Sequence, residues 1–249
     1  MAKKLYWLAA LALLGACATT TNTATAPAAP PTDPTYAPLV VNDQFIGGPP
    51  PVGSHGQQWD ADLERSTETP ERVAQASADQ GVNQRPDPFE EFQPVLGADF
   101  SAARLPRTAA LFAAIAARVG QPALVAKEAY HRDRPFVSDP TYPRCTPPLD
   151  DPTRAILGPQ RSYPSGHSAL GFAWALMMTE LMPDRAQALM ERGYQFGRSR
   201  VICGVHWTSD VESGRLLAAG VVAQAHALPS VQAAMNAARD ELRTAGYIH

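Results

Sequence analysis

The chain has 249 residues, 45% of them apolar, and a formal net charge of −3. That is enough for one domain of ordinary size with a real core and some added sequence. A slightly acidic balance excludes nucleic-acid binding through overall charge. Residues 1–17 read as an export signal: Lys3 and Lys4 give a positive start, and Leu5 to Leu14 an apolar run too short to span a membrane with ease. Residues 18–47, mostly Thr, Ala and Pro at first, cannot bury a core; they read as a disordered tether or a leftover leader segment. A helical domain is expected over 48–249.

Within that domain, helices are expected at 57–65 and 70–80, each starting near Ser, Thr or Pro. Residues 86–97 are poorly patterned and read as loop, and 41–100 offer no chemical constellation. An Ala-rich helix is expected over 106–119, with Pro106 in its first turn and Gly120 at its end. A second is expected over 121–133, with Pro122 near its start and Pro135 beyond it. Residues 136–163 form a long proline-rich loop that carries Cys145. The stretch 167–182 is apolar on most faces, the mark of a buried central helix. Further helices are expected from 183 to about 199, over 209–228 and over 229–245. The alternation that marks strands is missing, so the fold class is all-α, a helix bundle. No membrane span is expected after residue 17.

Three stretches carry chemistry. In Ser199 to Asp210, an arginine precedes a histidine by six residues and a carboxylate follows four later. If this is a helix end, a turn and the next helix start, Arg200 and His206 converge and Asp210 reaches the far nitrogen of the His206 ring. That combines a nucleophile or base, an orienting acid and an anion clamp. Lys127 and Arg134 are seven apart, two helical turns, and so share a face. Pro135 biases Arg134 away from helical geometry. Pro164-Ser165-Gly166-His167 opens a helix whose unpaired N–H groups suit an oxyanion, although Ser165 alone could be a simple N-cap. Cationic residues concentrated in an acidic chain suit a small anionic substrate. Arg132, His131 and Arg198, beside the motifs, read as surface charges. Cys145 and Cys203 either pair, pinning the loop to the third motif, or remain two buried thiols.

The written pattern K-x6-R-P, P-S-G-H, S-R-x5-H-x3-D is complete. It resembles the superfamily of type 2 phosphatidic acid phosphatases, bacterial class A acid phosphatases and vanadium haloperoxidases. Ser162-Tyr163 and Val201-Ile202-Cys203-Gly204 look most like the class A enzymes. The resemblance implies a single-domain helix bundle of the acid phosphatase / vanadium haloperoxidase type. It implies hydrolysis of phosphomonoesters through a phosphohistidine, without metal or cofactor, with phosphotransfer to alcohols as a companion activity. His206 would be the nucleophile, His167 the proton donor and later base, and Asp210 the orienting acid. Lys127, Arg134, Ser165, Gly166 and Arg200 would hold the phosphoryl oxygens. This chemistry needs His206 neutral and His167 charged, hence separated pKa values. A vanadate-dependent haloperoxidase or a non-catalytic phosphate-binding protein are the alternatives. Leu14-Gly15-Ala16-Cys17 resembles a lipobox, implying acylation of Cys17 and a periplasmic protein anchored to the outer membrane. Ordinary cleavage at Ala16-Cys17-Ala18, giving a soluble or secreted product, is the rival. Family habit implies a homo-oligomer.

Overall fold

The computed structural model describes residues 45–64, 68–81, 84–139, 145 and 151–249. The expected export signal, Cys17 and most of the tether lie outside the described residues. Ten α-helices are found among these residues, and no strand. They are α1 (His55–Glu64), α2 (Pro70–Ala78), α3 (Pro88–Leu96), α4 (Pro106–Tyr130), α5 (Pro135–Ser138), α6 (Asp151–Leu157), α7 (Gly166–Leu181), α8 (Ala186–Ile202), α9 (Thr208–Ala225) and α10 (Pro229–Thr244).

Local sequence accounts for many of the starts. Thr69 accepts the Arg72 N–H ahead of α2, and Asp87 accepts the Phe89 and Glu90 N–H groups ahead of α3. Both helices then have proline in the first turn, where the missing N–H costs nothing. Asp210, in the first turn of α9, accepts the N–H of Trp207 at 2.9 Å. A carboxylate there also complements the helix dipole.

Helix α7 runs through the middle, packed against α8, α9 and α4. Its Ala169, Ala173, Trp174, Met177, Met178 and Leu181 are buried. The Trp174 indole donates to the Phe112 carbonyl of α4 at 3.1 Å. Phe89, Phe92, Phe100 and Phe112 pack ring on ring beside it. Each such side chain removed from water stabilises the fold by roughly 1.5–3 kcal/mol. Where α7 begins, the helices come unusually close. A Cβ on Gly197 of α8 would stand 2.7 Å from the Ser168 hydroxyl, and one on Gly214 of α9 2.6 Å from the Ser165 carbonyl. Any larger residue would push apart the helix ends that carry the chemistry.

Three expectations are corrected. Residues 88–96 are helix α3, not loop: Phe89, Phe92 and Leu96 form its buried stripe, which Pro94 obscures in the sequence. The two helices expected either side of Gly120 are one, α4, running through Gly120 and Pro122. An interior Gly and Pro cost about 1 and 3 kcal/mol. Burial of Leu111, Phe112, Ile115, Val119, Ala123 and Ala126 along one face offsets this. The segment Pro106–Ser138 is long and apolar enough to cross a membrane by length and composition alone. Finally, Ile46 is buried and Phe45 packs against the core, so the folded part reaches into the expected tether. The Tyr163 hydroxyl holds it there by donating to the Gly47 carbonyl at 2.6 Å.

Candidate active site

The segment from Ser199 to Asp210 is a helix end, a turn and a helix start. α8 ends at Ile202, Gly204 takes a positive φ of 66°, and α9 begins at Thr208. The turn folds back on Arg200, whose carbonyl accepts the N–H groups of Val205 and His206. A disulfide joins Cys203 in this turn to Cys145, with the two Cα atoms 5.0 Å apart.

His206 is held from two sides. Its Nδ1 lies 3.3 Å from Asp210 Oδ2, and its Nε2 lies 3.0 Å from an Arg134 guanidinium nitrogen. A guanidinium can only donate, so Nε2 is the acceptor and the ring proton sits on Nδ1, facing Asp210. Asp210 is itself fully buried. Its Oδ2 also accepts from the Ser162 hydroxyl at 2.5 Å, and its Oδ1 from Arg132 at 2.6 Å. Arg132 spans from Asp210 to Asp60 Oδ2, 2.8 Å away, and Asp60 accepts the Ser209 N–H and hydroxyl.

The remaining cations differ from one another. All five Arg134 donors are engaged: with the carbonyls of Gly158, Val205, Leu157 and Arg161 and with His206. The Lys127 ammonium donates to the carbonyls of Arg161, Ser162 and Pro164 at 2.8, 3.3 and 2.5 Å. Arg200 is different. It is completely buried, one of its nitrogens donates to Gln84 at 2.7 Å, and its Nε and other terminal nitrogen have no partner among the described residues. The buried Nε2 of His167, a half-buried residue, likewise has none among the described residues. His167 is fixed by stacking against Phe196 and by a hydrogen bond with the Gln80 backbone. Ser165 caps α7 by accepting the Ser168 N–H, and a Cβ on Gly166 would meet open space.

Burial is the first cause of every large pKa shift here, and crowding of positive charge is the second for all but Arg134. Arg200 is pushed down to about 9 by burial and then by Arg134. Arg134 is pushed down to about 10 by burial, with Asp210 opposing. Lys127 is held well below its usual range by burial and then by Arg134. His206 falls well below 6.5 through burial, Arg134, Lys127 and Arg200. His167 falls in the same direction through burial, Arg200 and His206. Both histidines are thus shifted in the same direction, towards the neutral form.

The site thus brings together His206, His167, Asp210, Lys127, Arg134, Ser165, Gly166 and Arg200. Sequence reasoning missed its supports. Arg132, read as a surface charge, has only 10% of its side chain exposed and sits between two buried carboxylates. The region said to hold no constellation supplies Asp60 on Arg132, Gln84 on Arg200 and the Gln80 backbone on His167. It also supplies Asp79, which pairs with Arg192 at 2.5 Å and accepts from Ser199 at 2.5 Å. Glu91 of α3 is buried beside them, with neither carboxylate oxygen partnered among the described residues. Burial, aided by Asp79 and opposed by Arg192, raises it well above 4.5. Of the other two residues read as surface charges, Arg198 pairs with Glu68 while His131 is exposed.

Residues 107–232, about half the chain, match the PAP2 superfamily. The chain belongs to the PAP2 superfamily. Within that superfamily it is similar to the non-specific acid phosphatase of Salmonella typhimurium, at 36% identity over 81% of this chain and 80% of that protein. It is also 44% identical to the acid phosphatase of Zymomonas mobilis, over 48% of this chain and 44% of that protein. The match to the non-specific acid phosphatase of Providencia stuartii is 44% over 47% of this chain and 45% of that protein. The alignments thus span less than half the length of the Zymomonas and Providencia relatives. The PAP2 match includes all eight of the residues brought together above.

Proposed function

We propose that this chain is an acid phosphatase that hydrolyses phosphomonoesters through a phosphohistidine on His206. One observation carries the reading. Inside the protein, the unpartnered Arg200 donors and the unpartnered His167 Nε2 accompany an imidazole whose Nε2 lone pair is oriented. Buried donors without partners are costly, and a tetrahedral oxyanion satisfies them together. The N-terminus of α7, with Ser165 and Gly166, adds N–H groups suited to the same charge. The names of the relatives support the same activity.

In the proposed cycle the phosphoryl group rests on Arg200 and the tip of α7, with Arg134 and Lys127 contributing positive charge. Arg134 turns one donor from His206 to the incoming oxyanion, which frees the Nε2 lone pair. Nε2 attacks phosphorus, and the P–N bond forms as the P–O bond to the alcohol breaks. His167 gives its proton to the departing oxygen. Water then attacks phosphorus and loses a proton to His167; the P–N bond breaks, inorganic phosphate leaves and His206 is restored. Asp210 holds the Nδ1 proton throughout and balances the charge that forms on the ring. Transfer to an alcohol in place of water follows the same steps.

The shared direction of the two histidine shifts favours acid. His206 stays neutral, as a nucleophile must, well below 6.5. His167 carries its proton only at low pH, until the negative charge of a bound phosphoryl group raises its affinity for it. Three cations and a helix end neutralise the charge, so we propose that no metal is needed. Export to the periplasm is proposed too, with or without a lipid on Cys17. The Lys3-Lys4 start with its apolar run supports it, and so does the disulfide, which suits an oxidising compartment. The test is phosphate release from a chromogenic aryl phosphate. Activity is expected to be highest in acid, indifferent to EDTA and blocked by vanadate. Loss on chelation, restored by Zn²⁺ or Mg²⁺, would refute the metal-free account.

A further inference from the structure

A cleft of about 480 Å³ opens between α4, α6 and the start of α7. Two of its lining residues, Lys127 and Gly166, also belong to the anion site. The rest of the wall is largely apolar and includes Leu124, Ile156, Leu157 and Leu170. Leu124 is 48% exposed and Ile156 63%, so their apolar surface faces solvent across the cleft. Arg161, which also lines it, is paired with Glu128 at 2.6 Å. The Lys127 ammonium is engaged by three backbone carbonyls.

From this we propose that the cleft receives the alcohol of the substrate, and that the enzyme selects phosphomonoesters of apolar alcohols over those of polyols. The inference rests on the phosphatase reading above. A phosphoryl group at the tip of α7 has Gly166 beside it, a residue without a side chain to separate it from the cleft. The organic group attached to that phosphoryl extends along Leu170, Leu157, Ile156 and Leu124. A hydroxyl-rich alcohol placed there loses water and meets few partners. An alkyl group removes both its own apolar surface and that of the wall from water.

The experiment measures kcat/KM for ethyl, butyl and hexyl phosphate and for glycerol phosphate, kept below micelle-forming concentrations. These esters share nearly the same leaving-group chemistry. The value is expected to rise with chain length by up to about fourfold per methylene, with glycerol phosphate below butyl phosphate. In a doubly substituted Leu124→Ser, Ile156→Ser protein the rise is expected to flatten. A flat series in the unsubstituted protein, or glycerol phosphate turned over better than butyl phosphate, would overturn the proposal while leaving the phosphatase reading intact. Turnover of none of the four would overturn both.

Discussion

The two histidines of the site stand in opposite kinds of surroundings. Around His206 almost every polar atom is matched: Arg134 uses all its donors, and Asp210 accepts from Ser162, Trp207, Arg132 and His206. Around His167 the matching stops, with Nε2 and two Arg200 nitrogens left over in the interior. The difference teaches where the protein has fixed its geometry in advance and where it leaves charge for a ligand to complete. Preorganisation suits the group proposed to attack in line; unspent hydrogen bonding suits the place proposed for incoming negative charge.

Breaking the satisfied side should cost most. Asp210→Asn is expected to lower kcat by roughly 10²–10⁴, because the ring loses the acceptor that fixes its tautomer. Asp60→Asn acts at one remove, by loosening Arg132. A smaller loss of about tenfold in kcat with little change in KM is expected, as for other outer partners. Steady-state kinetics on both variants checks the order; equal losses would mean that the Asp60–Arg132 pair does more than position Asp210.

The unsatisfied side should respond differently. Arg200→Ala removes donors aimed at the developing charge, and a loss of about 10²–10³ in kcat is expected. It also removes the second cause of the His167 shift, after burial. Relieved of that positive charge, His167 binds its proton more tightly, so the alkaline limb of kcat/KM should move to higher pH. A pH profile that stays in place would break the assignment of His167 as the acid.

The smallest effect concerns stability. Glu91 has its carboxyl raised above 4.5 in the fold, so the folded protein binds more protons than the unfolded chain above that pH. Its contribution is present in acid and is lost as pH rises towards the raised value. Glu91→Gln should therefore melt close to the parent at pH 4.5 and above it at pH 8. The gap would be a few degrees, at about 2–4 °C per kcal/mol for a chain of this size. Melting curves at the two pH values check the sign. The histidines pull the other way: neutral in the fold, they favour it less as pH falls below 6.5.

What could be read from the sequence follows the range of the interactions. The candidate site residues sit at fixed spacings near helix ends, where period and capping are local. Arg200, His206 and Asp210 could be placed from one dozen residues. Their supports could not. Asp60 meets Ser209 across 149 positions and Gln84 meets Arg200 across 116. No local pattern distinguishes either from a surface residue. Arg132 looked ordinary because what matters about it is burial between two carboxylates contributed by other helices. In the sequence, helix α3 reads as loop because Pro94 interrupts the stripe of Phe89, Phe92 and Leu96 that the structure buries. The unbroken course of α4 was not legible, since packing overrides the cost of Gly120 and Pro122.

The central claim is tested most directly by mixing the enzyme with a ³²P-labelled phosphomonoester, quenching within one turnover and mapping the label. The account predicts an acid-labile, base-stable phosphoryl group on the peptide containing His206, and none on the His206→Ala protein, which should also be inactive. Label on another residue, or steady turnover by His206→Ala, would contradict it.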